Sequence, residues 1–416
     1  MKLVNMNFRL TNETVLSISV AALIVFAPLL IYGADIYGIN LRISRLIVLI
    51  FTPVLMIAIC RAPEKIAADK LFMLVLLPFY TYSLMSALWS NDFNGYMNRM
   101  AMLTEVYLIY IYVRYAGSSE GNNQHILNAY IYSAILPILI AYWQLSNVVF
   151  RFDDSEVPFT SLLISEKYNN LESYGAFGSL DGFSRLSSSF GEPNMFGGYL
   201  STIILLSFLF SARNRLQKNM LLFIQISAIM MLILTVSKSG ILSFAIGYAC
   251  IAFKIKKFRH WFKYIAATIF VMLVGLALLD YNDTLNRFTD DTGHVDFMMG
   301  VLDSMANVNL WIGEGFGSYE FGSSHRFILT RIYEGGFFGL LFSIVLSIFP
   351  VVILCKMRNT KKINEEKIIV LAASISIIIG LNLYDYFIHV FPWTVAAIAA
   401  NVFLKVGLNK SHDVSK

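Results

Sequence analysis

The feature that most constrains this chain is a series of long, unbroken apolar segments. A helix needs about 20 apolar residues to cross a hydrocarbon core of about 30 Å, and a hydropathy window of about that size finds roughly twelve such segments. They lie near residues 15–32, 45–60, 71–88, 99–114, 127–147, 195–211, 219–234, 239–253, 263–280, 334–355, 366–381 and 388–405. We therefore predict an all-α, polytopic membrane protein in which residues 1–416 form a single integral membrane domain.

Composition excludes other classes of protein. A chain that is 57% hydrophobic and 14% charged cannot cover a soluble globule of 416 residues with polar surface. The apolar segments are continuous rather than alternating, which excludes an outer-membrane barrel. No cleavable signal precedes the first segment, so we expect it to be retained as a signal anchor. Cys60, Cys250 and Cys355 all lie near predicted cytoplasmic helix ends, which predicts neither a disulfide framework nor a cysteine-based metal site.

The basic residues predict the orientation. With both termini inside, the Lys- and Arg-rich turns fall on the cytoplasmic side; these are "RAPEKIAADK", "ARNRLQK", "KIKKFRHWFK" and "KMRNTKKINEEK". The net charge of +5 is thus explained by topology. Because these residues are spread over separate short turns, we expect no nucleic-acid partner.

Two long loops then fall outside, at residues 148–194 and 281–333. Long loops in a compact bundle usually carry function or disorder. Both loops are rich in Phe, Tyr and Trp, which favours order. These aromatic side chains could pack against the bundle or present flat faces to sugar rings, and the sequence leaves both readings open.

A polar stretch, "SRLSSSFGEPNMFGGYL", directly precedes the sixth segment. Arg185 lies outside in the predicted topology, and the "GEPN" turn, with Glu192 and Asn194, comes just before a helix start. Free N–H groups at a helix start and a nearby Arg favour an anion such as phosphate. The alternative is a capped loop with an Arg that extends to the interface.

The turn "TVSKSG" places Lys238 at the outer end of a tight helical hairpin with few polar neighbours in sequence. It is either a simple interfacial anchor or a ligand-binding cation. Together, Arg185 and Lys238 could neutralise a diphosphate without a metal.

The third element is "GEGFGSYEFGSSHRFILTRIYEGGFFGLL". Its glycine-rich turns lead to His325, after which helical character resumes. A neutral imidazole at a helix start is a suitable base for a sugar hydroxyl, although a structural His bonded to a loop carbonyl fits the pattern as well. Glu334, further along, could pair with Arg331 or Arg326, or orient a substrate.

Other ionisable residues give weaker signals. Asp153, Asp154 and Glu156 favour a solvated loop, and the set around His294 lacks a second spaced ligand pair, so we predict no metal site. Arg99 and Glu105, in the fourth segment, are expected to face the bundle rather than lipid.

The three motifs, in this order, resemble those of the O-antigen ligase and O-antigen polymerase superfamily of bacterial envelope glycosyltransferases. The resemblance covers Arg185 to Leu341 by motif and the whole chain by its hydropathy plan. It implies a GT-C type fold in the inner membrane and a metal-independent, inverting transferase without a cofactor. The donor would be an undecaprenyl-diphosphate-linked oligosaccharide bound at the periplasmic face.

Matched residue by residue, the resemblance implies that His325 is the catalytic base. Arg185 and Lys238 would bind the diphosphate, with Arg287 or Arg326 supplying a further charge. Glu334, Glu192 and Asn194 remain candidates for orienting the acceptor. Membrane lipids and a polysaccharide chain-length regulator are further implied partners.

This sequence departs from ligases in two places: Arg326 follows the His, and His294 stands where an Arg is common. Both departures favour a polymerase of O-antigen or capsule repeat units over a ligase that transfers glycan to lipid A-core. A flippase or transporter of lipid-linked oligosaccharides is the alternative from another class, and a membrane scaffold is a third. The polar signals cluster at one face rather than at mid-membrane, which favours a transferase over a translocation path.

Overall fold

The computed structural model describes residues 12–29, 33–36, 39–61, 63–67, 69–117, 120–150, 186–259, 308–318, 327–357, 364–384, 387 and 389–403. This part of the chain is helical, apart from one β-hairpin and short turns. The predicted helical class is thereby confirmed.

The first half of the described chain contains seven α-helices. They are α1 (Asn12–Phe26), α2 (Ile43–Arg61), the short α3 (Glu64–Ala67), α4 (Leu77–Met85), α5 (Phe93–Ala116), α6 (Glu120–Tyr132) and α7 (Ile135–Phe150). A π-helical turn, Phe72–Leu76, leads directly into α4, and a 3-10 turn, Ser86–Leu88, follows it.

The second half begins with a 3-10 turn, Ser188–Phe190, and continues as six α-helices. They are α8 (Pro193–Ser207), α9 (Arg215–Leu234), α10 (Lys238–Lys254), α11 (Phe327–Met357), α12 (Glu365–Leu383) and α13 (Val390–Phe403). The helix α11 is kinked at Gly336, whose φ of 53° and ψ of −135° are not helical.

Within the residues that the structure describes, five helical stretches are long and apolar enough to cross a membrane. They are Ile43–Arg61, Asn122–Leu145, Arg215–Leu234, Phe327–Pro350 and Glu365–Leu383, and Phe72–Leu88 and Val390–Phe403 are shorter apolar helices. Each predicted segment overlaps a helix except 263–280, which lies outside the described residues. The total of twelve spans therefore stays a prediction.

One small element departs from the all-α prediction. Two strands, β1 (Gly33–Ile36) and β2 (Ile39–Arg42), pair antiparallel between α1 and α2. Only residues 37 and 38 connect them, and a two-residue connection containing a Gly is typical of a tight hairpin. The hairpin ends at Arg42, directly before α2.

The helix α8 occupies the centre of the bundle. From Phe196 to Ser207 every side chain of α8 is buried, as expected for a helix packed on several sides by α9, α10 and α12. By contrast, α2 exposes Leu49 and Ile50, and α9 exposes Ile226. Such one-sided exposure of apolar side chains is what a lipid-facing helix requires.

Contacts between helix ends sort into two groups. At one end, the Arg114 side chain contacts Asp69 at 2.6 Å and Asn401 at 2.5 Å, joining α5 to the start of the π turn and the end of α13. At the opposite end, Phe316 donates its N–H to Ser86 Oγ at 3.0 Å, and Asn194 meets Ser237. We call the second group, which contains the predicted motifs, the motif end.

Candidate functional site

The "GEPN" and "SKSG" motifs, 43 residues apart in sequence, meet at the motif end. The Ser237 hydroxyl donates to Asn194 Oδ1 at 3.0 Å. The Asn194 amide in turn donates to Glu192 Oε1 at 3.2 Å. These two consecutive hydrogen bonds join the "SKSG" motif to the "GEPN" motif.

The two motifs open two parallel helices. Gly197 of α8 lies against Gly240 of α10, and Leu205 lies against Gly247 further along. A Cβ on Gly240 would stand 2.8 Å from the carbonyl carbon of Gly197, so only glycine permits this approach. The Ser201 hydroxyl, one turn after Gly197, donates to the Gly240 carbonyl at 2.7 Å. Both helix N-termini therefore open side by side at the same end.

The two helix starts differ in their capping. Ser237 accepts the Gly240 N–H at 3.0 Å and so caps α10 with its own hydroxyl. Glu192, at the cap position of α8, makes no such side-chain cap, and Pro193 follows it. The N–H groups of Asn194 and Met195 in the first turn have no intrahelical acceptor, which leaves them suitable for an anion.

Backbone strain is concentrated beside this site. Ser188 (φ 52°) and Val236 (φ 47°) are the non-glycine residues with positive φ in the described chain. For a β-branched residue such as Val this conformation is a true outlier, with a cost of order 1–3 kcal/mol. Leu186 donates its N–H to the Leu234 carbonyl at 3.4 Å, so the two strained segments run beside each other.

The serines of "SRLSSSF" hold this segment in place. Ser188 is buried; its hydroxyl donates to the Pro137 carbonyl at 2.6 Å, and its N–H donates to Gln144 Oε1. Ser189 donates to the Pro28 carbonyl at 2.7 Å. These serines anchor the turn to α7 and to the residues that directly follow α1.

Lys238 is the first residue of α10 and its side chain is exposed at the motif end. Arg185 lies outside the described residues, but Leu186, next to it in the chain, is hydrogen-bonded at this site. The described charges here, the Glu192 carboxylate and the Lys238 ammonium, balance.

A second cluster surrounds Glu334 in α11. Glu334 Oε2 lies 2.8 Å from Arg331 Nη1, with both side chains almost fully buried at 2% and 1% exposure. Glu334 Oε1 accepts the Gly317 N–H at 3.1 Å. Of the pairings that the sequence left open for Glu334, the structure contains the one with Arg331. A role for Glu334 in orienting an acceptor stays a prediction.

The glycine-rich turn packs on the kink of α11. Glu314 donates its N–H to the Tyr333 carbonyl at 2.9 Å, and Phe337 donates to the Leu310 carbonyl at 2.8 Å. A Cβ on Gly336 would stand 2.7 Å from the nitrogen of Gly313, which explains a glycine at the kink. The turn thereby fixes the first two turns of α11, which begin at Phe327.

Three aromatic rings enclose the Arg331 guanidinium. Its carbon lies 5.4 Å from the centre of the Phe316 ring, 5.8 Å from Phe327 and 5.1 Å from Phe387. Such distances fit cation–π contacts, which stabilise a buried guanidinium. Phe327 is the second residue after His325, so this cage anchors the start of the helix that follows the predicted base.

His325, Arg326 and Arg287 lie outside the described residues, as does most of the two predicted long loops. Among the residues that the structure describes, no group of three or more His, Cys, Asp or Glu side chains could hold a metal ion.

Phe387, before α13, and Phe391, in the first turn of α13, link the two clusters. The sequence did not predict this link. Phe387 contacts Arg331 on one side, and Phe391 packs against Phe190 with ring centres 6.3 Å apart on the other. Between them lies His389, a buried histidine with 8% exposure. An ionisable residue within "YFIHVFPW", an otherwise apolar stretch, was the signal that could have identified it.

No known protein family matches this chain, and no curated protein matches it significantly. The resemblance to envelope glycosyltransferases therefore rests on the motifs themselves and on their arrangement.

Proposed function

We propose that the protein is a membrane glycosyltransferase that joins O-antigen or capsule repeat units supplied on undecaprenyl diphosphate. One observation carries the proposal: the hydrogen bond from Ser237 to Asn194 joins two separate motifs where two parallel helices begin. Paired helix starts with a lysine at one of them favour an anion. A lipid diphosphate is the anion that a membrane-embedded site of this kind would meet.

The charges of the site support a leaving-group role. As the glycosidic bond breaks, negative charge grows on the departing diphosphate, and donors already in place typically contribute about 3 kcal/mol each to stabilising it. Lys238, the first N–H groups of α8 and Arg185 would supply these donors. No metal or cofactor is needed in this scheme, because the lipid-diphosphate bond is already activated.

His325 completes the proposed reaction. It takes the proton from the acceptor hydroxyl, whose oxygen forms a bond to the anomeric carbon as the bond to the diphosphate oxygen breaks. Attack from the opposite side inverts the anomeric centre. Support comes from the Phe327 anchor, which fixes the helix directly after His325 against Arg331 and Phe387. Arg326 and Arg287 would add charge near the diphosphate, and Glu192, Asn194 and Glu334 would orient the acceptor.

The distribution of basic residues supports a periplasmic site. The end opposite the motif end carries most basic side chains of the described chain, among them Arg61, Arg114, Arg213, Lys254 and Lys257. By the positive-inside rule that end is cytoplasmic. We therefore place the protein in the inner membrane with both termini in the cytoplasm and the motif end in the periplasm. A chain-length regulator would act there as a partner.

An apolar cleft supports a lipid-linked substrate. It lies between α11, α12 and α13 and has a cavity volume of about 70 Å³. Its lining runs from Phe387, next to Arg331, to Phe403 near the opposite helix ends, and is almost entirely apolar. Such a cleft suits a hydrocarbon chain whose headgroup remains at the motif end.

Two other functions make different predictions. A ligase that transfers finished glycan to lipid A-core would use the same donor site, and its loss would leave long chains on the lipid carrier. A flippase would need a charged path across the bundle. The charge clusters at Asp69 and Glu334 lie at opposite ends of the described bundle.

Complementation of a strain that lacks the gene tests the proposal. We expect His325→Ala and Arg185→Gln to leave single repeat units, while wild type and a matched control, His125→Ala on the exposed surface of α6, restore long chains. Membrane levels of each variant must be equal by immunoblot. Long chains from His325→Ala would refute the assignment of the base. Long unattached chains in the deletion strain would identify a ligase.

A further inference from the structure

A buried charged cluster lies where α2 begins, on residues that the proposed function does not use. Arg42 closes the hairpin, and Arg45 stands one turn later in α2, with exposures of 6% and 5%. Glu105, from the middle of α5, is 4% exposed, and Ser44 is 1% exposed. Ionisable side chains at such positions in a membrane protein commonly mark a functional site.

Both oxygens of the Glu105 carboxylate contact side chains of α2. Its Oε1 accepts the Ser44 hydroxyl at 2.5 Å, and its Oε2 accepts Arg45 Nε at 3.2 Å. Both oxygens thus have partners, and the ion pair with Arg45 compensates the carboxylate charge. A second positive charge nearby would find no compensation from Glu105.

Arg42 is that second charge. It pairs across the hairpin with Gly33, which has no side chain to offer, and its buried Nε has no hydrogen-bond partner. Among the described residues no carboxylate pairs with it, and its charge repels that of Arg45. Counted over the residues that the structure describes, the cluster holds one positive charge in excess, and an uncompensated buried charge is strongly unfavourable.

The position of the cluster indicates what could compensate this charge. Leu46, next to Arg45, is 43% exposed, and Leu49 is 57% exposed, so α2 presents an apolar, lipid-facing surface within one turn. Lipid phosphates lie at the ends of membrane-spanning helices. Guanidinium groups match phosphate oxygens in pairs of parallel hydrogen bonds.

We propose that Arg42, with Arg45 beside it, binds the phosphate group of a membrane lipid at the start of α2. The lipid phosphate supplies the negative charge that the described residues lack. The lipid is either an ordinary anionic phospholipid or a polyprenyl diphosphate, since both present the same chemistry. This site is built from α2, α5 and the hairpin, so it stands whether or not the proposed transferase function holds.

The test measures thermal unfolding of the purified full-length protein in detergent after lipid removal. Phosphatidylglycerol, undecaprenyl diphosphate, phosphatidylcholine and inorganic phosphate are each added to wild type, to Arg42→Met and to Arg61→Met. Arg61, exposed at the far end of the same helix, is the matched control for non-specific attraction. We expect an anionic lipid to raise the melting temperature of wild type and Arg61→Met but not of Arg42→Met.

The lipid-free proteins provide a second readout. Replacing an uncompensated buried charge with an apolar side chain should leave the melting temperature of Arg42→Met unchanged or higher. A lower value in Arg42→Met, combined with a preserved lipid response, would mean that Arg42 is structural and would overturn the proposal. A wild type that responds to no lipid, or to inorganic phosphate alone, would also overturn it. Which lipid gives the larger rise identifies the source of the phosphate.

Discussion

At the scale of single residues, the described charge around the starts of α8 and α10 comes from very few side chains. Glu192 and Lys238 oppose each other there, and the chain neighbour of Arg185 is held beside them. Removing the Lys238 charge therefore leaves the described charge around the two helix starts negative rather than balanced. This makes the site more sensitive to a single neutral substitution than a broad basic patch would be.

We predict that Lys238→Gln lowers polysaccharide formation roughly 100-fold, because it removes a donor that stabilises the leaving diphosphate. Lys254→Gln is the matched control, since Lys254 lies in the last turn of the same helix and is also exposed. Initial rates of chain formation by membranes containing equal amounts of each variant check this. Equal rates for the two variants would show that Lys238 is not part of the donor site.

The Arg331–Glu334 pair is a different kind of feature, because both charges are buried. We predict that Arg331→Met destabilises the protein by about 3 kcal/mol, since it leaves the Glu334 carboxylate without its cation. The double variant Arg331→Met/Glu334→Gln should recover much of that loss. Thermal unfolding of wild type, both single variants and the double variant gives the coupling energy. A double variant that is as unstable as the sum of the singles would show that the two side chains act independently.

At the scale of elements, the parallel contact between α8 and α10 sets the geometry of the site. The approach of Gly197 to Gly240 brings the two helix starts together, and Ser201 ties the pair one turn further in. Any side chain at Gly240 would separate the N-termini by forcing the backbones apart. Site geometry and helix packing are therefore coupled at this position.

We predict that Gly240→Ala destabilises the protein by about 1–3 kcal/mol through overpacking and lowers activity further than the change in stability explains. Gly335→Ala is the control, because its added Cβ would meet only Tyr82, at an ordinary 3.5 Å. Thermal unfolding and chain formation are measured for both variants. A fully active Gly240→Ala protein would mean that the spacing of the two helix starts is not critical.

The sequence predicted some elements well and missed others for physical reasons. Long apolar segments predict helices because the backbone must satisfy its own hydrogen bonds in lipid, and α2, α9, α12 and α13 begin within a few residues of the predicted positions. The hairpin before α2 is too short to produce a periodic pattern. The kink at Gly336 depends on the distant turn at Gly313, which local sequence does not specify.

The same limits apply to the candidate site. The sequence predicted that the two motifs carrying Arg185 and Lys238 act together, and the structure brings these motifs into contact through Asn194 and Ser237. The Phe387–Phe391 link, with His389 inside it, was missed because its partners Arg331 and Phe190 are far away in sequence. Long-range contacts of this kind cannot be inferred from one sequence alone.

At the scale of the whole molecule, polar contacts between helices lie at two opposite ends of the described bundle. Asp69, Arg114 and Asn401 meet at one end, while Ser86, Phe316 and Glu334 meet at the other. If the bundle spans a membrane, these ends face different compartments. The assignment of the motif end to the periplasm can then be tested by asking from which side of the membrane a reagent reaches each end.

We predict that cysteines introduced at the two ends react from opposite sides of the membrane. In a background with Cys60, Cys250 and Cys355 replaced by Ser, Trp311→Cys is placed at the motif end, where Trp311 is 74% exposed. Ala212→Cys is placed in the exposed turn between α8 and α9. A membrane-impermeant maleimide added to intact spheroplasts should label the first and spare the second until the membrane is opened.

The labelling result also tests a segment that the sequence alone predicts. Between residues 212 and 311 the structure describes α9 and α10, and the predicted segment 263–280 would be the third crossing. An odd number of crossings puts the two cysteines on opposite sides, and an even number puts them on the same side. Labelling of both cysteines from outside, or of neither, would therefore show that residues 263–280 do not cross the membrane. The predicted number of spans would then change. Labelling of Ala212→Cys alone would reverse the orientation and place the motif end in the cytoplasm.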